Sequence, residues 1–194
     1  MARRAALRMV AGLTAGVALL GGCAQEQPAS DTLPSASAAS PSTDAGLPPL
    51  GPADLPMPDE ARTQDAAGAE AFVRYYIDLI NRTSTVMDAA PLREFSDGCR
   101  DCDRIAIAVE QDAAAGYQYA GGSLNITAVG SPLMKEGAAE LALRADQAPL
   151  VVKDASGAPI EDLETPEYLE LSGGVALAWD SNRESWTMTT LTLE

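Results

Sequence analysis

The chain contains no histidine, and this absence excludes more chemistry than any other feature of its 194 residues. Without imidazole there is no Ser-His-Asp or Cys-His nucleophile, and the usual nitrogen ligands of zinc are missing. Cysteine is scarce at three residues. Once Cys23 is set apart in the leader, the remaining two sulfurs make half a structural zinc site. Cations are few, 13 Lys+Arg against 28 Asp+Glu, for a formal net charge of -15. So acidic a chain is a poor partner for nucleic acid or anionic lipid. The one glycine pair of note, Gly121-Gly122, lacks the lysine and strand-to-helix context of a phosphate loop. The acids at Asp154 and from Glu161 to Glu167 lack a calcium-loop pattern. No cofactor and no metal are therefore expected. Nor does any later apolar run approach the roughly 20 residues that cross a bilayer.

What is present begins with Arg3, Arg4 and Arg8, followed by the apolar stretch Met9 to Leu20 and then Gly21-Gly22-Cys23. The apolar core is too short for a permanent span and reads as a processed leader. Leu20-Gly21-Gly22-Cys23 resembles the lipobox of bacterial lipoprotein precursors. The resemblance implies cleavage after residue 22, with Cys23 as an acylated N-terminus on the extracytoplasmic face of the cell membrane. Attached acyl chains contribute roughly 0.8 kcal/mol per buried methylene, and two or three make a lasting anchor. Removing the three leader arginines takes the mature chain to 10 Lys+Arg against 28 acids, a formal net of -18.

From residue 23 to 65 the chain is Ala, Ser, Pro, Gly and acid, and eight of the 13 prolines fall here. Such a composition buries too little to offset its ordering entropy, so it is expected to be a disordered tether. At about 42 residues its reach would be roughly 35 Å.

Residues 66 to 194 are then the folded domain. Phe72, Tyr76, Leu79 and Ile80 recur at helical spacing, widened by Val73 and Ile77, and predict a helix over 66–82. Pro91 suits the first turn of a short helix over 91–95. A third helix is expected from about Arg100 to Ala115, ended by Gly116. Beyond it the period turns to two. Tyr117, Tyr119, Leu124 and Ile126 alternate with polar residues, bent at Gly121-Gly122. Leu141 and Leu143 follow, then Leu150 to Lys153 as a hairpin with Ala158 to Ile160. Val175, Leu177 and Trp179 share a face, and Trp186, Met188, Thr190 and Thr192 alternate in a closing strand. Helices followed by antiparallel strands argue an α+β fold with helices packed on one side of a curved sheet.

Cys99-Arg100-Asp101-Cys102 sits at a helix start in a compartment expected to be oxidising, and predicts a structural disulfide between Cys99 and Cys102. A thioredoxin-like redox centre is disfavoured, because a short helix precedes the pair and Asp97, Asp101 and Asp103 oppose a thiolate.

Phe72-Val73-Arg74-Tyr75-Tyr76 with Asn81, Pro91-Leu92-Arg93, the Cys99/Cys102 pair, Gly121-Gly122 and Trp186 together resemble an uncharacterised domain family of actinobacterial lipoproteins, over roughly residues 66–192. No established activity comes with that resemblance. Met87-Asp88 departs from the Gly-Asp turn frequent in the family and puts that turn in question. More distantly, the order of elements is similar to the nuclear transport factor 2-like fold. That likeness implies a cone whose mouth is open in some members and filled in others.

In such a cone the candidate pocket residues are Phe72, Tyr75, Tyr76 and Leu79 from the first helix, Tyr117 and Tyr119 from the first strand, and Trp179 and Trp186 from the last two. Asp78 with the tyrosines is the one arrangement that could serve an enzyme. The expected function is a membrane-anchored extracytoplasmic binding or interaction domain with no catalysis. Its partners would be the lipid membrane, through acylated Cys23, and a cell-envelope protein or a small hydrophobic ligand. A structural envelope accessory protein with a filled cone is the alternative, and a small Tyr/Asp enzyme is a more distant one.

Overall fold

The structure, a computed structural model, describes residues 48–194. The expected leader, the expected lipidation site Cys23 and residues 23–47 of the expected tether lie outside the described residues.

Asp65 starts the first helix, α1 (Ala66–Val86), by accepting the Gly68 amide at 2.7 Å. Two acceptances, from Gly68 N–H and the Thr63 hydroxyl, hold its carboxyl below the ordinary range. The apolar stripe of α1 buries Phe72, Val73, Tyr76, Ile77, Leu79 and Ile80. At its C-terminus Met87 takes a left-handed conformation, with φ 56° and ψ 37°, and returns its amide to Thr83 O. The turn expected of a glycine is thus kept by a methionine. The steric cost is roughly 1–2 kcal/mol, offset by packing against Ala89, Ala106 and Val109. Next come α2 (Ala90–Glu94) and α3 (Arg100–Ala114). Cys99 is the N-cap of α3, its Sγ accepting the Cys102 amide at 3.3 Å, and the two sulfurs form a disulfide in the core.

Seven strands follow: β1 (Gln118–Gly121), β2 (Leu124–Val129), β3 (Leu133–Lys135), β4 (Ala138–Gln147), β5 (Leu150–Lys153), β6 (Tyr168–Asp180) and β7 (Ser185–Leu193). The main sheet runs β2-β4-β6-β7, with β3 also on β4, and every pairing is antiparallel. Its inner face carries Ala139, Leu141, Leu143 and Ala145 from β4, Val175 and Leu177 from β6, and Trp186, Met188 and Leu191 from β7. α1 packs across this face and shares one core with it. The two edges are finished differently. On β2 the Asn81 side chain bonds both the N–H and the C=O of Leu124, at 2.8 and 2.9 Å. On β7, Met188 bonds Phe95 O at 2.9 Å and Asp97 N–H at 3.0 Å.

Several expectations need correction. The α+β order of helices then antiparallel sheet is present, but the sheet is neither curved nor closed into a nuclear transport factor 2-like cone. Its path ends at β2 and β7, which do not pair, and β1 with β5 forms a separate two-stranded sheet. The bend at Gly121-Gly122 is a change of sheet: Gly121 (φ 82°) brings its backbone against Pro149 O, where any Cβ would lie 2.1 Å away. β5 pairs with β1 on one edge; on the other it keeps the expected turn back to residues 158–160, through Asp154 N–H to Ala158 O at 2.9 Å, Ile160 N–H to Val152 O at 2.8 Å and a bridge of Lys153 with Pro159.

The tether boundary also moves. Residues 48–65, expected to be disordered, lie on the domain, with Met57 and Ala61 buried and Leu50 and Leu55 packed against the core. A 3-10 turn, Asp59–Arg62, places Arg62 in the interior. That guanidinium donates to Pro48 O at 2.6 Å, Arg183 O at 3.1 Å and, more weakly, Glu184 O at 3.4 Å. It clamps the segment to the β6–β7 turn. Arg82 adds a second clamp, pairing with Asp54 at 2.8 Å and Asp88 at 3.2 Å.

Candidate functional site

Of the eight residues expected to line a pocket, most fill the interior. Phe72, Tyr76, Leu79 and Trp186 have no exposed surface. Phe72 lies 6.1 Å from Tyr76 and 6.5 Å edge-on from Phe95, centroid to centroid, while Tyr75 meets Phe95 edge-on at 5.8 Å. Trp186 packs 5.2 Å from Trp179 and donates its indole N–H to Thr63 O at 3.0 Å. The half-buried Trp179 borders a surface depression beside Arg93 and Asp180. Tyr117 and Tyr119 are half-buried where α3 passes into β1.

Three of the five phenols are committed to structure. Tyr75 donates to Leu55 O at 3.3 Å, Tyr76 to Leu92 O at 3.2 Å, and Tyr119 to the Asp112 carboxylate. Burial pushes the Tyr76 phenol up to about 12. It raises Tyr75 and Tyr119 as well, with the charges of Glu94 and Asp112 adding to the effect. Asp78 sits on the exposed side of α1, its carboxyl raised by partial desolvation. Of the candidate enzyme residues, Asp78 is exposed on α1, Tyr75 and Tyr76 are buried on the same helix, and Tyr117 and Tyr119 lie where α3 passes into β1. Among the described residues no cluster of acids or cysteines could hold a metal ion, and no helix is long and apolar enough to cross a membrane.

Little in the residue pattern announces the groove that does exist. It lies between the N-terminal half of α3 and the far end of the sheet, about 590 Å³ in volume. Its floor is apolar: Ile105 from α3, Leu124 from β2, Leu171 from β6, and Leu191 and Leu193 from β7. Arg100 and Arg104 stand at its rim, their side chains 91 % and 78 % exposed, with Asp101 between them at 3.8 and 3.4 Å. Tyr168 and Glu194 close the other end. The groove continues past Gly98 along Thr189 and Thr190.

The placement of Leu191 and Leu193 on its floor comes from a bulge. Ala176 faces Thr190 and Leu177 faces Met188, so Thr189 is an extra residue on β7. One extra residue reverses which face each later side chain occupies. Trp186 and Met188 point inward as alternation predicts, but beyond the bulge Leu191 and Leu193 replace the expected Thr190 and Thr192. The signal that could have found this was the apolar pair Leu191 and Leu193 itself, out of phase with Trp186 and Met188.

Neither a search of protein-family models nor a search of curated proteins found a match to the chain. The resemblance to the lipoprotein domain family is corrected accordingly, since no family model matches and the sheet lacks the cone it implied. Among solved structures, the intermembrane space region of the chloroplast protein ARC6 is 16 % identical. It covers 68 % of this chain and 97 % of its own, with a TM-score of 0.48. Aln2 from a Streptomyces species is 13 % identical and covers 68 % of this chain and 93 % of its own, with a TM-score of 0.42. At these scores neither likeness carries an argument about fold or function.

Proposed function

We propose that this chain is a lipid-anchored extracytoplasmic protein whose domain binds a partner and performs no reaction. The observation that supports binding is the groove between α3 and β7, where an apolar floor meets two exposed arginines in a strongly acidic chain. The absence of a reaction is supported by Tyr75, Tyr76 and Tyr119, whose phenols donate to main-chain carbonyls or to Asp112 rather than facing the groove. The anchor is supported by Leu20-Gly21-Gly22-Cys23. The filled interior around Phe72, Tyr76 and Trp186 favours a second function, an envelope accessory protein that binds nothing in its core.

Metabolic labelling with radioactive palmitate tests the anchor. The full chain is expected to carry label that Cys23→Ser abolishes. An unlabelled chain in the culture medium overturns the anchor and leaves the groove to be judged separately.

A further inference from the structure

The groove runs across the sheet from one edge to the other. Its floor passes from Leu191 and Leu193 on β7, over Leu171 on β6, to Leu124 on β2, with Ile105 contributed by α3. Leu191 is buried, but Ile105, Leu124, Leu171 and Leu193 keep part of their apolar surface in water. In the order β2-β4-β6-β7 this floor crosses three strand spacings, roughly 14 Å. The two ends differ in charge. Arg100 and Arg104 stand at one, a single turn of α3 apart, and Glu194 stands at the other. Elsewhere most cations are committed to the fold. Arg62, Arg74, Arg82, Arg93, Lys135 and Arg183 each donate a hydrogen bond to a carboxylate or a main-chain carbonyl. Arg100 and Arg104 instead share Asp101, at 3.8 and 3.4 Å. One carboxylate offsets one of the two charges, so this end of the groove stays net positive.

We propose that the groove takes a single-chain amphiphile with a phosphate monoester head, bound as one molecule, its head at Arg100 and Arg104 and its tail along the leucine floor. This rests on the binding function given above and names the ligand class. Two guanidiniums present two forks of donors, and a carboxylate has oxygens for one fork only. A phosphate monoester carries three acceptor oxygens and a charge of roughly -1.5 to -2 at neutral pH, enough for both. Glu194 repels the head from the opposite end and so fixes the direction in which the ligand lies. A tail of roughly ten methylenes matches the length of the floor, and the volume of about 590 Å³ suits a ligand of that size. The acidity of the chain as a whole opposes docking on an anionic bilayer. A lone amphiphile meets only the positive end of the groove.

The test titrates the full-length chain, held in phosphatidylcholine nanodiscs at one concentration, with decyl phosphate below its micelle concentration. The methyl resonances of Ile105, Leu171 and Leu193 are expected to shift saturably, while those of Leu133, on β3 and outside the groove, stay in place. Octyl phosphate should bind about tenfold more weakly, for the two methylenes lost, and decanoate about fivefold more weakly. Arg100→Gln combined with Arg104→Gln should weaken decyl phosphate at least tenfold with an unchanged urea midpoint, because both side chains are exposed. Equal binding by the double variant, or equal binding of decanoate, overturns the proposal. So do shifts of the same methyls in phosphatidylglycerol nanodiscs without decyl phosphate, which would give the groove to a membrane lipid. If decyl phosphate leaves the methyls unmoved but uncharged decyl maltoside shifts them, the phosphate ligand fails and the binding function stands. If neither probe shifts them, both fail.

Discussion

Replacing Arg62 by methionine keeps most of the side chain's apolar stem and removes the fork that holds residues 48–65 on the domain. Arg62 is only 7 % exposed, and its bonds to Pro48 O and Arg183 O are short, whereas the bond to Glu184 O is near the geometric limit. A hydrogen bond from a charged donor contributes about 1.5–3 kcal/mol, so two good ones give roughly 3–6 kcal/mol gross. The desolvation of a buried guanidinium opposes this, and the carbonyls of the β6–β7 turn can rehydrate. A net loss of about 2–4 kcal/mol is expected. For a domain of this size, that lowers the melting temperature by about 10 °C. The lesion should also be regional. The Leu55 and Met57 amides, bonded to Pro52 O and Leu50 O, should exchange faster, while those of β4 change only as global stability falls. Arg62→Lys keeps the charge without the fork and should recover less than half of the loss. An unchanged melting temperature, with exchange at Leu55 and Met57 also unchanged, refutes the clamp.

Two further predictions concern the core. Tyr76 is driven up to about 12 chiefly by burial, above the ordinary value of 10. A folded-state value above the unfolded one means its contribution is fully present below about pH 10 and is lost as pH rises through about 12. Stability should therefore fall across that window, and tyrosinate absorbance at 295 nm should appear together with unfolding; ionisation in the still-folded protein contradicts the buried, bonded phenol. The Cys99–Cys102 disulfide closes a very short loop, for which chain entropy predicts about 2 kcal/mol. The Cys99→Ala/Cys102→Ala pair should lose roughly that amount by urea titration. Native protein should weigh two hydrogens less than reduced protein, and two alkylatable thiols in oxidised preparations exclude the bridge.

The parts that could be read from the residues are those set by local period. α1 follows from Phe72, Tyr76, Leu79 and Ile80, α3 from its apolar run ended by Gly116, though its cap is Cys99 and not the Ser96 or Asp97 that residue type suggests, and β4 from Leu141 and Leu143. What could not be read depends on distant partners. Whether strands after helices close into a cone is decided by β1 choosing β5, and no periodicity in either strand announces that choice. Residues 48–65 look like tether because they are Pro-rich with few apolar side chains. They are held by an arginine that composition counts as surface. The groove was missed for a third reason. It is built from one bulged residue in β7 and two rim arginines with no motif around them.

The clamp at Arg62 gives the domain a polarity. Pro48 is held beside residues 183 and 184, at one pole of the β6–β7 ribbon, whereas Leu193 and Tyr168 lie at the other. That is a separation of about 30 Å along nine residues of strand. On the anchoring proposed above, a pull applied upstream of Pro48 would be taken by the turn, and the groove end of the ribbon would be carried outward, away from the anchored surface.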